Sequence, residues 1–163
     1  MKFAIKSACY GTLHNVAEAD NTNDIDISYI NQWDLGAEET TLEARAQGKT
    51  AITLSSDKKM NFTVNAEVLD EDGLMLLVGG TKKENGEIIV GDTPSTVYKF
   101  EGIAHLSMED GSSVAKKITI PKCRPRLSDS VSFSATELST FSLQFDILYD
   151  ATTNAFLTIA DNA

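Results

Sequence analysis

Residues 131–150, VSFSATELSTFSLQFDILYD, form the most regular stretch of the chain and decide its fold class. Phe141, Leu143, Phe145, Ile147 and Tyr149 share one side of a two-residue period, while Ser142, Gln144 and Asp146 share the other. Successive side chains of an extended chain point to opposite faces, so this alternation predicts a half-buried β-strand. Val131 and Phe133 begin a similar alternation, with residues 135–140 as a bend or corner between two strands. A one-sided apolar pair of strands needs a second layer to cover it, which predicts a mainly β domain built as a sandwich or barrel.

The same period recurs on either side. Residues 97–108 place Tyr98, Phe100, Ala104, Leu106 and Met108 on one face and His105 on the other, beside Lys99 and Glu101. After an Asp110-Gly111 turn, residues 114–120 return with Ile118 and Ile120 as their apolar face. Pro121 and Pro125 then interrupt a ladder, which predicts a loop or irregular edge over 122–126. Upstream, Ile52 and Leu54, a turn at 55–58 and the alternation of 60–68 read as a β-hairpin. Asp70 is placed as a helix N-cap, Glu71 and Asp72 suit the positive end of the helix, Leu74, Leu77 and Val78 form its stripe, and Gly79-Gly80 stop it. Asn85-Gly86 predicts a further turn, and residues 155–160 a short closing strand.

Two regions carry no apolar period of their own. Residues 1–24 read as an N-terminal arm or loop, with at most a short edge strand at 2–6. Ile25, Ile27 and Tyr29 lead into a strand that ends at Trp33, a buried anchor. Residues 34–49 are acidic, with few and small apolar side chains, and read as a projecting loop that orders against a partner.

A chain of 163 residues is most simply one domain with a core of its own. Cys9 and Cys123 lie far apart and read as reduced thiols of a cytosolic product. No leader-like apolar run and no membrane span are expected, and Asn61-Phe62-Thr63 reads as strand and not as a glycosylation site. The formal net charge of −10 argues against ordinary nucleic-acid binding, which needs basic groups for phosphate. The charges are segregated along the chain. Eight carboxylates and no Lys or Arg fall between Glu18 and Glu43, whereas Lys116, Lys117, Lys122, Arg124 and Arg126 fall in a segment without an acid. Two solvated loops, or complementary surfaces on neighbouring copies, are both compatible with this pattern.

Catalytic constellations are scarce. His14 and His105 are the only histidines, no Gly-x-Ser-x-Gly elbow occurs, and Gly79-Gly80-Thr81-Lys82 lacks phosphate-loop spacing. Asp20, Asp24 and Asp26 lack the spacing and glycine of a calcium loop. The expectation is a non-enzymatic protein with no metal and no cofactor.

Taken in order, these features resemble the major tail tube protein of long-tailed bacteriophages. The resemblance rests on the strand ending in Trp33-Asp34, the acidic segment closing with Ala46-Gln47-Gly48-Lys49, the hairpin of 52–68 and the single helix of 70–79. It continues through the hairpin of 97–120, the basic Pro-containing run of 121–126 and the Ser- and Phe-rich strands of 131–149. It implies a β-sandwich subunit with a flanking helix that forms homo-hexameric rings stacked into a hollow tube. It also implies tape measure, tail terminator and baseplate or tail-tip proteins as partners, and a place in the virion tail after synthesis in the bacterial cytoplasm. DNA passes through such a tube without specific binding, and no membrane is involved. An acidic lumen repels phosphate, which suits the net charge. Ring stacking needs two different faces per subunit, for which Asp34, Glu38, Glu39 and Glu43 on one side and Lys116, Lys117, Lys122, Arg124 and Arg126 on the other are candidates. Gln144 and Asp146 are candidate lumen-facing residues. A capsid decoration protein, a tail terminator or a small carbohydrate-binding module would be the alternative.

Overall fold

The computed structural model describes residues 3–21, 23–27, 30–66, 70–91, 96–126 and 141–162, with the backbone alone for 3–10, 30–33, 50–51, 53–56 and 66. In chain order the elements are β1 (Phe3–Asn15), β2 (Ile25–Ile27), β3 (Ile30–Ala46), β4 (Lys49–Ala66), α1 (Glu71–Val78), β5 (Thr81–Lys82) and β6 (Ile88–Ile89). There follow β7 (Tyr98–Met108), β8 (Ser113–Arg126), β9 (Phe141–Ile147) and β10 (Thr158–Asp161). The chain is mainly β, as the alternation requires. The expected strand at Val131 and Phe133, its corner at 135–140 and the side chains of Cys9 and Trp33 lie outside what is described. No helix among the described residues is long and apolar enough to cross a membrane.

One eight-stranded antiparallel sheet runs in the order β2-β1-β7-β8-β9-β4-β3, with β10 beside β8, while β5 and β6 form a separate small hairpin. The sheet curls over its own apolar face. In a flat sheet β7 and β4, three strand spacings apart, would hold their side chains roughly 14 Å apart. Instead the rings of Phe62 on β4 and Phe100 on β7 lie 4.9 Å apart, and Phe62 stacks on Phe145 of β9 at 4.6 Å. Curling thus supplies the second layer that the one-sided strands need. Phe100, Phe145, Leu13, Ile120, Leu143 and Val64 are its fully buried centre. Gly11 permits the closest approach, because a Cβ there would sit 2.3 Å from Phe100 Cε2.

α1 covers part of the core. Its N-cap is Asp70, whose Oδ1 accepts from the Gly73 N–H at 2.8 Å. Its C-cap is Gly79 in the left-handed conformation, and the Gly80 N–H closes onto the Met75 carbonyl at 3.0 Å. The buried face is Met75, Leu76 and Leu77, with Leu74 packed at its margin, so the expected stripe of Leu74, Leu77 and Val78 is right at Leu77 and misses Met75 and Leu76. A two-turn helix lying in the mouth of a curled sheet is enclosed on more sides than one stripe.

Four other expectations are corrected. Residues 3–15 are not a loose arm, and the expected short edge strand is the start of a longer one. They form one long strand that pairs with β7 throughout and with β2 over Gly11–Leu13, and its β7 register breaks between Ile5 and Ser7 and between Ala8 and Tyr10. The following turn is pinned by Asn15 Nδ2 on Glu18 Oε1 at 3.3 Å and by His14 Nδ1 with Asp24 Oδ1 at 2.7 Å. The 55–58 turn is absent, because β4 runs straight through it and Asp57 (φ 49°) forms a bulge there. Residues 122–126 are strand, not loop. Pro121 falls where the β7–β8 register shifts between Ile120 and Cys123. The Leu148 N–H donates to the Lys122 carbonyl at 2.9 Å, which makes Cys123↔Ile147 and Pro125↔Phe145 the non-hydrogen-bonded pairs of β8 and β9. The donor that Pro125 lacks would therefore have pointed away from β9, beyond the first residue of β7. The fourth correction, at residues 34–49, concerns the candidate site.

Candidate assembly surface

The segment expected as a projecting loop is the outer half of a β-ribbon. β3 and β4 pair from Ile30↔Ala66 to Ala46↔Lys49, closed by Gln47 (φ 53°) and Gly48 (φ 77°). Two central residues with positive φ make the primed turn whose twist suits a hairpin, and glycine takes that conformation without strain. β9 accompanies β4 only from Ala66 to Met60. Beyond Met60 the ribbon is two strands wide, and the side chains described over 34–49 are exposed apart from the half-buried Gly36.

The apolar row of this ribbon changes sides along its length. Near the body, Leu35↔Phe62 and Ala37↔Met60 continue the core face. Past the Asp57 bulge that row becomes Glu39, Thr41 and Glu43, while Leu42, and Ile52 opposite Ala44, stand on the reverse face. Leu42 and Ile52 are 58% and 56% exposed. Neither packs against the core cluster of the described residues.

The basic run is largely ion-paired within the subunit, while on the ribbon opposite charges face one another in register. Glu38 faces Lys59 and Glu39 faces Lys58 across the ribbon, Asp34 faces Thr63, and Glu43 Oε2 lies 3.4 Å from Arg45 Nη2. In the basic run, Lys116 pairs with Asp161, Lys117 with Glu101 at 3.1 Å, Lys122 with Asp150 at 3.1 Å and Arg126 with Asp146 at 3.0 Å. Arg124 lies opposite Asp146 in the β8–β9 ladder. Lys99, assisted by Lys117, holds the Glu101 carboxyl below its usual range. The buried Asp150 accepts from the Thr153 hydroxyl and Lys122 and from the backbone N–H groups of Thr152 and Thr153. Together they pull its carboxyl down to about 2. Burial pushes the Cys123 thiol up to about 12. The polar face of β9 that carries Gln144 and Asp146 is therefore mixed in charge.

No protein-family model and no curated protein matches the chain. Among solved structures, the tube-terminating cap of the anti-feeding prophage aligns at 14% identity over 98% of this chain and 95% of that chain, with a TM-score of 0.45. A chain of the anti-feeding prophage baseplate aligns at 11% identity over 98% and 97%, TM-score 0.47. The sheath/tube terminator structure of an extracellular contractile injection system, PVC, aligns at 13% identity over 94% and 93%, TM-score 0.41.

Two features of the site escape a linear reading. Lys58 and Lys59 belong to it only because the ribbon folds them onto Glu39 and Glu38. Leu42 and Ile52 sit among polar residues and become a patch only once paired strands put them on one face. The acids of 20–26 do not converge, since Asp24 engages His14 and Asp26 Oδ1 accepts from Thr12 Oγ1 at 3.0 Å. Among the described residues no group of three or more His, Cys, Asp or Glu is placed to hold a metal.

Proposed function

We propose that this chain is a structural subunit that self-assembles into the tube of a phage tail or a tail-like injection particle, as stacked hexameric rings around a conduit for DNA. One observation carries the reading. The outer β3–β4 ribbon is two strands wide, exposed on both faces and longer than an isolated hairpin sustains well in water. Such a ribbon is stabilised when another surface covers it.

The sheet edges support the same reading. β3 ends the sheet at one side. At the other, β2 covers β1 only over Gly11–Leu13, and no strand among the described residues hydrogen-bonds that edge of β1 before Gly11. Two unlike edges suit a head-to-tail contact, which closes into a ring or extends as a filament. A net charge of −10 suits a conduit from which DNA phosphates are repelled. On this reading the partners are copies of the chain itself, with tape measure, terminator and baseplate proteins at the tube's ends. Gln144 and Asp146 remain lumen candidates, with the Asp146 charge offset by Arg126. The basic run is ion-paired within the subunit, whereas Asp34, Glu38, Glu39 and Glu43 on the exposed ribbon remain candidates for contacts between copies.

Negative-stain electron microscopy of the purified protein over a concentration series, with sedimentation in parallel, tests this. Hollow tubes or stacked rings of uniform width are expected. Protein that sediments as a monomer at every concentration would count against it.

A further inference from the structure

The turns at 83–87 and 108–112 are built alike. In the first, the Lys83 N–H donates to the Glu87 carbonyl and the Gly86 N–H to the Lys83 carbonyl, both at 2.9 Å. In the second, the Met108 N–H donates to the Ser112 carbonyl at 2.8 Å and the Gly111 N–H to the Met108 carbonyl at 3.0 Å. Both glycines are left-handed, with φ 82° at Gly86 and 84° at Gly111. The side chain before each glycine closes the turn in the same way. Asn85 Oδ1 accepts from the Glu87 N–H at 3.1 Å, and Asp110 Oδ1 from the Ser112 N–H at 2.9 Å. One turn carries an amide where the other carries a carboxylate.

From this pair of turns we infer that Asn85 is a modification site, which loses its side-chain amide by reaction with its own backbone each time the β5–β6 hairpin opens. Asn85-Gly86 is the only Asn-Gly step in the chain, and a glycine leaves its backbone nitrogen unshielded by a side chain. The Gly86 nitrogen gives its proton to solvent and attacks Asn85 Cγ. The bond from Cγ to the side-chain nitrogen breaks, ammonia leaves, and a five-membered imide remains. Water then opens the ring. Cleavage between Cγ and the Gly86 nitrogen gives aspartate, while cleavage between the Asn85 backbone carbonyl carbon and that nitrogen gives the iso-aspartyl linkage. Water is the only co-reactant. The aspartate product suits the turn, since Asp110 already holds a carboxylate in the matching place.

The closed turn keeps both reacting groups out of use. Its Gly86 N–H is given to the Lys83 carbonyl, which opposes loss of the proton, and the Glu87 N–H fixes the Asn85 side chain. Opening is local and easy. β5 and β6 share the pairs Thr81↔Ile89 and Lys82↔Ile88, and a hairpin so short is marginal in water. It is fastened to the body by Ile88, packed at the margin of the core, and by Lys82, whose Nζ lies 2.9 Å from Glu71 Oε2 and 3.2 Å from Asp72 Oδ1 at the start of α1. Lys82 therefore governs how often the exposed Asn85 can react. Asp110 does not follow the same course. The Ser112 hydroxyl and N–H hold its carboxyl below the ordinary range, and an ionised carboxylate resists attack by the glycine nitrogen.

The test follows residue 85 by mass spectrometry of proteolytic peptides during incubation at mildly alkaline pH. The folded protein, its Lys82→Met and Lys82→Arg variants and the chain unfolded in concentrated urea are compared. In the folded protein Asn85 is expected to convert faster than any other asparagine, yet at least about fivefold slower than in the unfolded chain. Lys82→Met should raise the folded rate about two- to fivefold, Lys82→Arg should leave it near the original, and Asp110 should keep its normal linkage throughout. A folded protein that retains the Asn85 amide while the unfolded chain loses it completely would overturn the site. Equal rates in the folded and unfolded chains, or a rate unmoved by Lys82→Met, would overturn control by the hairpin.

Discussion

Replacing Gly11 with alanine tests the curled sheet at its tightest point. The added Cβ would lie 2.3 Å from Phe100 Cε2 and 2.6 Å from Cζ, about an ångström inside a normal carbon–carbon contact of about 3.5 Å. The ring has little room to yield. Phe100 is fully buried and rests against Phe62, which itself stacks on Phe145. Overpacking of this kind costs about 1–3 kcal/mol, and the enclosed ring places the cost near the top, at about 3 kcal/mol. For a chain of this size that lowers the melting temperature by roughly 6–12 °C. Thermal and urea melts at one fixed, low protein concentration measure it, since assembly would raise the apparent stability. A double-mutant cycle with Phe100→Leu then locates the clash. If the ring is what the methyl strikes, the double variant should lose at least about 1 kcal/mol less than the sum of the two single losses. A Gly11→Ala protein that melts within about 1 °C of the original, or losses that simply add, would refute the approach of β1 onto Phe100.

Three further outcomes are expected. The Asp150 carboxyl is held at about 2, below its unfolded value of about 3.9, so its stabilisation is present above pH 4 and is lost as the pH falls through 2. Asp150→Asn should therefore melt below the original protein at pH 7, with the gap narrowing between pH 4 and pH 2, and a gap independent of pH would contradict the assigned contacts. Asp70→Ala removes the bond to the Gly73 N–H and should cost about 1 kcal/mol in a urea melt, with Asp70→Ser recovering most of it. Reversing Glu38 and Glu39 to lysine places like charges opposite Lys58 and Lys59 and should impair assembly. Adding Lys58→Glu and Lys59→Glu should restore assembly seen by sedimentation, and failure to restore it would mean that neighbouring copies read the sign directly.

The parts of the fold legible in sequence are those where one face is buried. On β7 and β9 the two-residue period coincides with burial, from Tyr98 to Leu106 and from Leu143 to Ile147. The caps of α1 were legible because capping is local chemistry. β1 was not, because two register breaks interrupt its period within residues 5–10. The outer ribbon was not, because both its faces meet solvent and no apolar alternation marks it as strand. What holds residues 34–46 extended is the opposite strand, and the only local sign of that strand is the Gln47-Gly48 turn.

That turn also sets which charges face one another. Folding a chain about Gln47-Gly48 without irregularities would set Glu38 against Asp57 and Glu39 against Ser56, an arrangement that adds repulsion to an already acidic strand. The observed register has two extra residues on β4, at Ala51 and Asp57. They shift the pairing by two places, so Glu38 meets Lys59 and Glu39 meets Lys58. The same Asp57 bulge lies where the apolar row passes from Phe62 and Met60 on one face to Leu42 and Ile52 on the other. One irregularity thus sets opposite charges facing one another across the ribbon and moves its apolar pair to the reverse face.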